Sequence, residues 1–147
     1  TMAKAIGNGI PVGAFAVTEQ VAAHSMKPGD HGTTYGGNPL ACMAVKKVVE
    51  IFEKDKIVEH VREIAPYLTK RLDELVEETD CVTERRGKGL IQGIVVTKPA
   101  GEVINRAIEE GLLIISAKGN VLRFVPPLII EKEHIDEMIE KLKHALL

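Results

Sequence analysis

Apolar residues recur at helical intervals through the middle and the end of the chain. Between residues 57 and 78, steps of three and four residues place the apolar positions on one face of a helix. Pro66 interrupts this stretch and predicts a kink or a join between two helical pieces. A second stripe over 132–147 predicts a last helix. The two stripes consist of Ile57, Val61, Ile64, Leu68, Leu72, Leu75 and Val76, and of Ile135, Met138, Ile139, Leu142 and Leu146.

Shorter apolar runs separate these two helices and predict strands. A turn at 86–89 separates the first two strands, and a helix from 101 to 110, ended by Gly111, precedes the third. Residues 80–147 therefore predict a small α+β unit of strands packed with helices. The four predicted strands cover 81–85, 90–96, 112–116 and 120–125.

The first part of the chain is richer in glycine and less periodic. Residues 1–17 predict a loop that ends in a short buried strand at 12–17, because glycine and proline exclude a regular helix there. Thr18 is a suitable N-cap for a short helix over 19–24. Asn38-Pro39 predicts the start of a longer helix, with Asn as the cap and Pro in the first turn.

The composition indicates a globular protein and excludes several functional classes. Hydrophobic residues make up 45% and charged residues 27% of the 147 residues, which allows an ordinary core. The formal net charge of −2, with both signs interspersed, argues against a nucleic-acid partner. No apolar run approaches the roughly 20 residues that a membrane span needs. We therefore expect neither a nucleic-acid nor a membrane partner.

The cysteines and histidines provide no evidence for a disulfide or a metal site. Cys42 and Cys81 lie far apart and form no redox or ligand spacing, which is typical of reduced thiols in a cytoplasmic protein. The N-terminus also lacks the pattern of a signal peptide. The five histidines show no metal-ligand spacing, so we predict a cytoplasmic protein without a metal.

Lys4 is a candidate catalytic residue because of its neighbours. A single lysine is usually a solvated surface charge. Small or apolar residues surround Lys4, however, and glycines at 7 and 9 allow the backbone to pack closely. Apolar surroundings would lower the pKa of the amine, as a lysine that condenses with an aldehyde requires.

Residues 27–37 form a long loop of glycine, threonine and proline, and such loops are often functional. Its second half, His31 to Asn38, is either a flexible surface loop that ends in a helix cap or an anion-binding site. In the second interpretation, hydroxyls and backbone N–H groups converge before a helix N-terminus, where the helix dipole favours phosphate.

Arg123 lies in a predicted strand and shares a face with Val121 and Val125. A guanidinium between two valines needs an anion, because a buried unpaired charge is costly. That anion is either a structural Asp or Glu or the carboxylate of a substrate.

Four segments in order resemble the ornithine/acetylornithine branch of the class III, fold-type I, pyridoxal-phosphate (PLP) aminotransferases. The resemblance covers the whole chain, although Ala5-Ile6 and Asn8 replace part of the glycine-rich run that usually follows the lysine. It implies an α/β fold with the end of the large PLP-binding domain at 1–55 and a C-terminal small α/β domain at 56–147. The segments are Thr1–Ala14, His31–Ala41, Arg86–Leu90 and Leu122–Leu128.

The resemblance also implies roles for individual residues. Lys4 would bind pyridoxal 5'-phosphate covalently and then act as general acid and base. Thr34 would bind the cofactor phosphate that belongs to the other subunit of a homodimer. Thr33 would contact the substrate, and Arg123 would hold a substrate carboxylate. The implied reaction transfers the terminal amine of N2-acetylornithine to 2-oxoglutarate, in arginine biosynthesis.

Alternatives remain within and outside this family. Ornithine and 4-aminobutyrate aminotransferases are the nearest competing activities, and a non-catalytic folding or interaction domain is a different class. Members of the family carry a long stretch before the lysine, including the Asp that pairs with the pyridinium nitrogen. This sequence starts three residues before Lys4, so we expect the isolated 147 residues to be inactive.

Overall fold

The computed structural model describes all 147 residues, Thr1–Leu147. The chain divides into two compact units, Thr1–Lys56 (unit 1) and Ile57–Leu147 (unit 2). None of its helices combines the length and the apolar character that crossing a membrane requires.

Unit 1 consists of helices joined by loops. A short 3-10 helix, Lys4–Gly7, comes first, followed by α1 (Glu19–Ser25) and α2 (Pro39–Lys54). Both α-helices begin where the sequence predicts. The hydroxyl of Thr18 caps α1 by accepting a hydrogen bond from the amide of Val21 at 3.3 Å.

The predicted strand at 12–17 is wrong. This segment pairs with the chain only at Ala14, which exchanges two backbone hydrogen bonds with Met2 at 2.7 and 2.8 Å. No second strand of unit 1 lies beside the segment, so its apolar residues have no ladder to join. Phe15 and Val17 consequently remain exposed at 44% and 46% of their surface.

Unit 2 combines three helices with one antiparallel sheet, as the α+β prediction requires. The strand order is β1-β2-β4-β3, so β2 and β4 are the interior strands. The elements in chain order are α3 (Ile57–Glu78), β1 (Val82–Lys88), β2 (Ile91–Val96), α4 (Ala100–Glu109), β3 (Ile115–Ala117), β4 (Val121–Phe124) and α5 (Lys132–Leu146).

The predicted apolar stripes form the core of unit 2. Helix α3 continues through Pro66 without interruption, so the predicted join between two pieces is wrong. Three leucines of α3 are completely buried, and α5 contributes a matching row. Complete burial of such a side chain contributes about 1.5–3 kcal/mol each. The fully buried aliphatic residues of the two helices are Leu68, Leu72, Leu75, Ile135, Ile139 and Leu142.

Alternation along the strands separates a buried and an exposed face of the sheet. Ile94, Leu122 and Phe124 point toward the helices and are buried. Gly93 and Arg123, one residue away on each strand, therefore lie on the opposite, outer face.

The hairpin between β1 and β2 is tighter than predicted. Residues 86–88 belong to β1, and the turn consists of Gly89 and Leu90. Gly87 has a φ of 129°, and a Cβ there would overlap the carbonyl oxygen of Ile91. Glycine at 87 is thus required by the backbone of the strand, which the sequence pattern had assigned to a turn.

Gln92 is the one buried polar residue of the chain, with 2% of its surface exposed. Its amide donates to the carbonyl oxygen of Gly89 at 2.7 Å and to the Thr69 hydroxyl of α3 at 3.3 Å. Its oxygen accepts from Arg85 at 3.1 Å, and Arg85 in turn donates to Asp73 of α3. All polar atoms of the Gln92 side chain are satisfied, so the network fixes the hairpin to α3 without leaving a buried polar atom unpaired.

A second polar cluster joins α3 to α5 through Asp136. The Tyr67 hydroxyl donates to its carboxylate at 2.8 Å, and the Nε of Arg71 donates at 2.8 Å. The hydrogen bond from Tyr67 lowers the pKa of Asp136; the bond from Arg71 adds to this shift, and partial burial opposes it.

Because the folded-state pKa of Asp136 is lowered, its stabilising effect is fully present above the pKa of the unfolded chain and is lost as the pH falls through the lowered value. We predict that the free energy of unfolding of Asp136→Asn is lower than wild type at neutral pH. The difference should shrink on acidification below about pH 4. Urea unfolding across this range measures it. Asp80→Asn is the control, since Asp80 forms no ion pair; an equal pH response in both variants would contradict the prediction.

Candidate functional site

Lys4 opens the 3-10 helix of unit 1 in an unusual backbone conformation. Its φ is 62°, in the left-handed region that non-glycine residues rarely adopt. The side chain is exposed, and its amine takes part in no hydrogen bond or ion pair of the chain. The expectation of apolar surroundings for Lys4 is therefore wrong within this chain. What the structure provides is an amine with no competing partner.

Two contacts hold the Lys4 segment in place. The paired backbones of Met2 and Ala14 fix the residues before it. After it, Gly7 is buried, and a Cβ there would lie 2.5 Å from Cγ1 of Val12. Glycine at position 7 thus allows the chain to fold back closely behind the lysine, as the glycine-rich pattern predicts.

The threonine-rich loop forms a tight turn at Thr33–Gly36. The amide of Gly36 donates to the carbonyl oxygen of Thr33 at 3.0 Å. A Cβ on Gly36 would lie 2.7 Å from Cγ2 of Thr33, so the turn closes only around glycine. The hydroxyls of Thr33 and Thr34 make no hydrogen bond within the chain, and neither do the amides of Thr33, Thr34 and Tyr35. These free donors are close in sequence and exposed.

The N-terminus of α2, in contrast, is already capped. Oδ1 of Asn38 accepts from the amides of Leu40 and Ala41 at 3.0 and 3.2 Å, and its carbonyl oxygen accepts from Cys42 at 2.9 Å. Pro39 has no amide hydrogen. An anion bound here would consequently contact the loop donors, because the helix end offers no free N–H group.

The loop and the N-terminal segment enclose an open depression of about 700 Å³. His31 packs edge-on against Phe15, with ring centroids 4.9 Å apart, and this contact fixes one wall. Thr33 lines the depression, whereas Lys4 and Thr34 lie outside its lining. The sequence did not identify Phe15 as part of this depression, because residues 12–17 were predicted to form a buried strand that the structure lacks. The lining consists of Thr1, Met2, Gly13, Ala14, Phe15, His31, Gly32, Thr33, Gly36 and Gly37.

Arg123 lies on the outer face of the unit 2 sheet. It shares this face with Val121 and Val125, as alternation predicts, but its side chain is exposed. Arg123 also lacks the Asp or Glu partner that a buried guanidinium would need, because no acidic oxygen lies within ion-pair distance of it. Arg123 also borders an apolar groove of about 270 Å³, lined by residues including Leu113, Ile115 and Pro126.

The predicted site residues thus fall in both units. Lys4, Thr33 and Thr34 belong to unit 1, and Arg123 belongs to unit 2. All four are exposed, and none of their polar groups is used by a hydrogen bond or an ion pair of the chain. No group of His, Cys, Asp and Glu side chains is arranged to hold a metal ion.

Comparison with known proteins identifies the family to which the chain belongs. The family model described as aminotransferase class-III matches residues 1–146. The acetylornithine aminotransferase of Aquifex aeolicus is 44% identical over 145 residues, which is 99% of this chain and 36% of that protein. The chain therefore spans about a third of the length of the curated relatives that it matches.

Solved structures agree with the sequence relatives. The acetylornithine aminotransferase of Elizabethkingia anophelis is similar with a TM-score of 0.76 and 31% identity, over 82% of this chain and 33% of that one. An S-selective transaminase from Arthrobacter sp. has a TM-score of 0.90 over 99% of this chain and 37% of that one. Its 23% identity supports the fold alone.

We predict that Gly36→Ala displaces Thr33, because the new methyl group meets the Thr33 side chain and carbonyl oxygen. The amide resonances of Thr33 and Thr34 in a 15N NMR spectrum should shift strongly. Gly32→Ala is the matched control, since a Cβ at position 32 meets nothing within 4 Å. Small, equal shifts in the two variants would show that the turn does not depend on glycine.

Proposed function

The chain belongs to the class-III aminotransferase family, and we propose that it forms the C-terminal part of an acetylornithine aminotransferase subunit. The proposed reaction transfers the terminal amine of N2-acetylornithine to 2-oxoglutarate, a step of arginine biosynthesis in the cytoplasm. In this proposal residues 1–55 are the end of the large PLP-binding domain, and residues 56–147 are the small domain. The 44% identity to a protein of that name, over nearly the whole chain, supports the substrate.

The exposed, unpartnered amine of Lys4 is the observation that carries the proposal. Enzymes of this class use pyridoxal 5'-phosphate, whose aldehyde condenses with a lysine and whose ring stabilises the carbanion formed during transamination. The donor set of unit 1 fits this cofactor: one free amine for the aldehyde, and free hydroxyl and amide donors for a phosphate. We assign the role of the free amine to Lys4. Lys4 would then also act as the acid and base that moves a proton to and from the substrate carbon.

Thr34 is proposed to bind the cofactor phosphate, and Thr33 to contact the substrate. Hydroxyl and backbone N–H donors suit a phosphate because each donates a hydrogen bond to an anionic oxygen. Thr34 lies outside the depression that Thr33 lines. This division is consistent with a homodimer in which Thr34 serves the site of the partner subunit and Thr33 serves a substrate.

Arg123 is proposed to bind a substrate carboxylate. Both substrates carry carboxylates, and a planar guanidinium binds one through two parallel hydrogen bonds. Arg123 is free for this role because no acidic side chain of the chain occupies it. Its fixed position on an interior strand, next to the buried Leu122 and Phe124, restricts the direction in which it can bind.

We predict that the chain incubated with PLP and then reduced with borohydride carries the cofactor on Lys4. Peptide mass spectrometry locates the modification, and Lys4→Ala should abolish most of it. Lys56→Ala is the matched control, because Lys56 is also an exposed lysine of unit 1 with a positive φ, of 50°. Labelling spread evenly over the lysines, or unchanged in Lys4→Ala, would overturn the assignment.

We predict that Arg123→Lys in the complete subunit raises the KM for 2-oxoglutarate by about tenfold to a hundredfold, since one bidentate charged contact is lost. Steady-state transamination with acetylornithine measures this. Parallel assays with ornithine and 4-aminobutyrate decide the donor: faster turnover with either would replace acetylornithine in the proposal. Arg86→Lys is the control, because Arg86 is paired with Glu84 at 2.6 Å on the same sheet face.

A further inference from the structure

The groove of about 270 Å³ beside Arg123 lies on the β3 side of the unit 2 sheet. One wall comes from the segment that leads into β3 and contains Leu113 and Ile115; the other comes from the end of β4 and the prolines that follow it. Phe124, Ile130 and Met138 also line the groove and are buried, so they form its floor. The groove is therefore an apolar depression built on core residues of the unit.

The walls of the groove expose aliphatic side chains to solvent. Leu113 is exposed over 86% of its surface, Val125 over 57% and Ile115 over 43%. A concave surface of this kind favours an apolar ligand, because binding removes the exposed side chains from water. The volume lies just below the roughly 300–1,000 Å³ of pockets that take drug-sized ligands, which indicates a smaller occupant.

Only two residues that line the groove have a charged or titratable side chain, Arg123 and His134. Ile115 is the residue opposite Arg123 on β3, so the guanidinium stands beside the apolar wall on the same sheet face. Nδ1 of His134 accepts a hydrogen bond from the amide of Glu131 at 3.2 Å, as part of the capping box of α5. The ring proton of the neutral imidazole is therefore on Nε2, which has no partner in the chain.

The unpaired state of Arg123 is exceptional among the arginines of the strands. Arg85 donates to Asp73 of α3, and Arg86 donates to both oxygens of Glu84 at 2.8 and 2.6 Å. Arg123 has no acidic partner, and no acidic residue lines the groove. The groove thus combines apolar walls with side-chain donors and one uncompensated positive charge, which is complementary to an anion that carries an apolar chain.

We propose that this groove is a binding site for straight-chain aliphatic carboxylates. The carboxylate binds the Arg123 guanidinium, with Nε2–H of His134 as a second donor in the groove, and the alkyl chain lies against Leu113, Ile115 and the buried floor. The inference rests on the proposed function, which assigns a substrate carboxylate to Arg123. It adds that this subsite selects carboxylates by the length of an apolar chain.

The test measures how binding depends on chain length. Acetate, butyrate and hexanoate are titrated into the 147-residue chain at neutral pH and constant ionic strength, while the Nε–Hε resonance of Arg123 and the methyl resonances of Ile115 are followed by NMR. The affinity should rise about twofold to fourfold for each added methylene until the groove is filled. Hexylammonium has the same alkyl chain with the opposite charge, and it should not produce a saturating shift.

Leu113→Ser tests the apolar wall. It should reduce the affinity for hexanoate about threefold to tenfold and leave that for acetate unchanged, because only the longer chain reaches the wall. Leu40→Ser is the matched control, since Leu40 is an equally exposed leucine, at 70%, in unit 1. Both positions are exposed, so folding is preserved, and the chain-length series on the wild type needs no substitution.

Three results with the chain overturn the proposal: equal affinity for acetate and hexanoate, equal binding of hexanoate and hexylammonium, or a Leu113→Ser variant that binds hexanoate as the wild type does. In the complete subunit, hexanoate should compete with 2-oxoglutarate at least tenfold better than acetate. An active subunit in which the two acids inhibit equally would refute the groove site and leave the proposed function intact. A subunit without transamination would refute the proposed function, while chain-length-dependent binding to the chain would still support the groove site.

Discussion

The register between β2 and β4 is the constraint on which unit 2 depends. It places Ile94 beside Leu122 under the helices and Gly93 beside Arg123 on the outer face. Because side chains alternate along a strand, a slip of one residue would bury Arg123 and expose Leu122. Burial of Leu122 and Phe124 therefore holds the guanidinium on the outer face, so the packing that stabilises the fold also orients Arg123.

The sequence was sufficient to predict most of unit 2, because its signals are periodic. The stripes of α3 and α5 identify their buried faces, and alternation assigns Arg123 to the correct face of its strand. Whether that face is buried or exposed was not predictable. Which side of the sheet the helices cover is decided by the connections between elements, and residue types on one strand carry no information about them. The hairpin was misplaced for a related reason: Gly87 serves a strand distortion, and glycine alone does not distinguish that from a turn.

In unit 1, contacts between neighbouring residues determine the structure, and contacts between distant residues are few. Thr18 and Asn38 each satisfy amides of the next turn, so the helix starts follow from neighbouring residues alone. A strand needs a partner, and residues 12–17 find only one bridge. The same absence of long-range contacts limited prediction of the site. The sequence suggested Lys4 and the threonine loop as candidates, and it predicted the Asn38 cap of α2, but it gave no sign of the contact between His31 and Phe15.

Lys4 and Arg123 have a physical property in common: each is a cation without a partner on a well-defined backbone. A solvated cation costs little by itself, so exposure alone does not indicate a function. The significant feature is the local structure around each cation, which includes a backbone choice that is unfavourable in isolation. Lys4 adopts a left-handed conformation, and Arg123 faces glycine in the middle of a sheet. Strained backbone conformations occur preferentially at ligand-binding sites, and this supports the proposed role of Lys4.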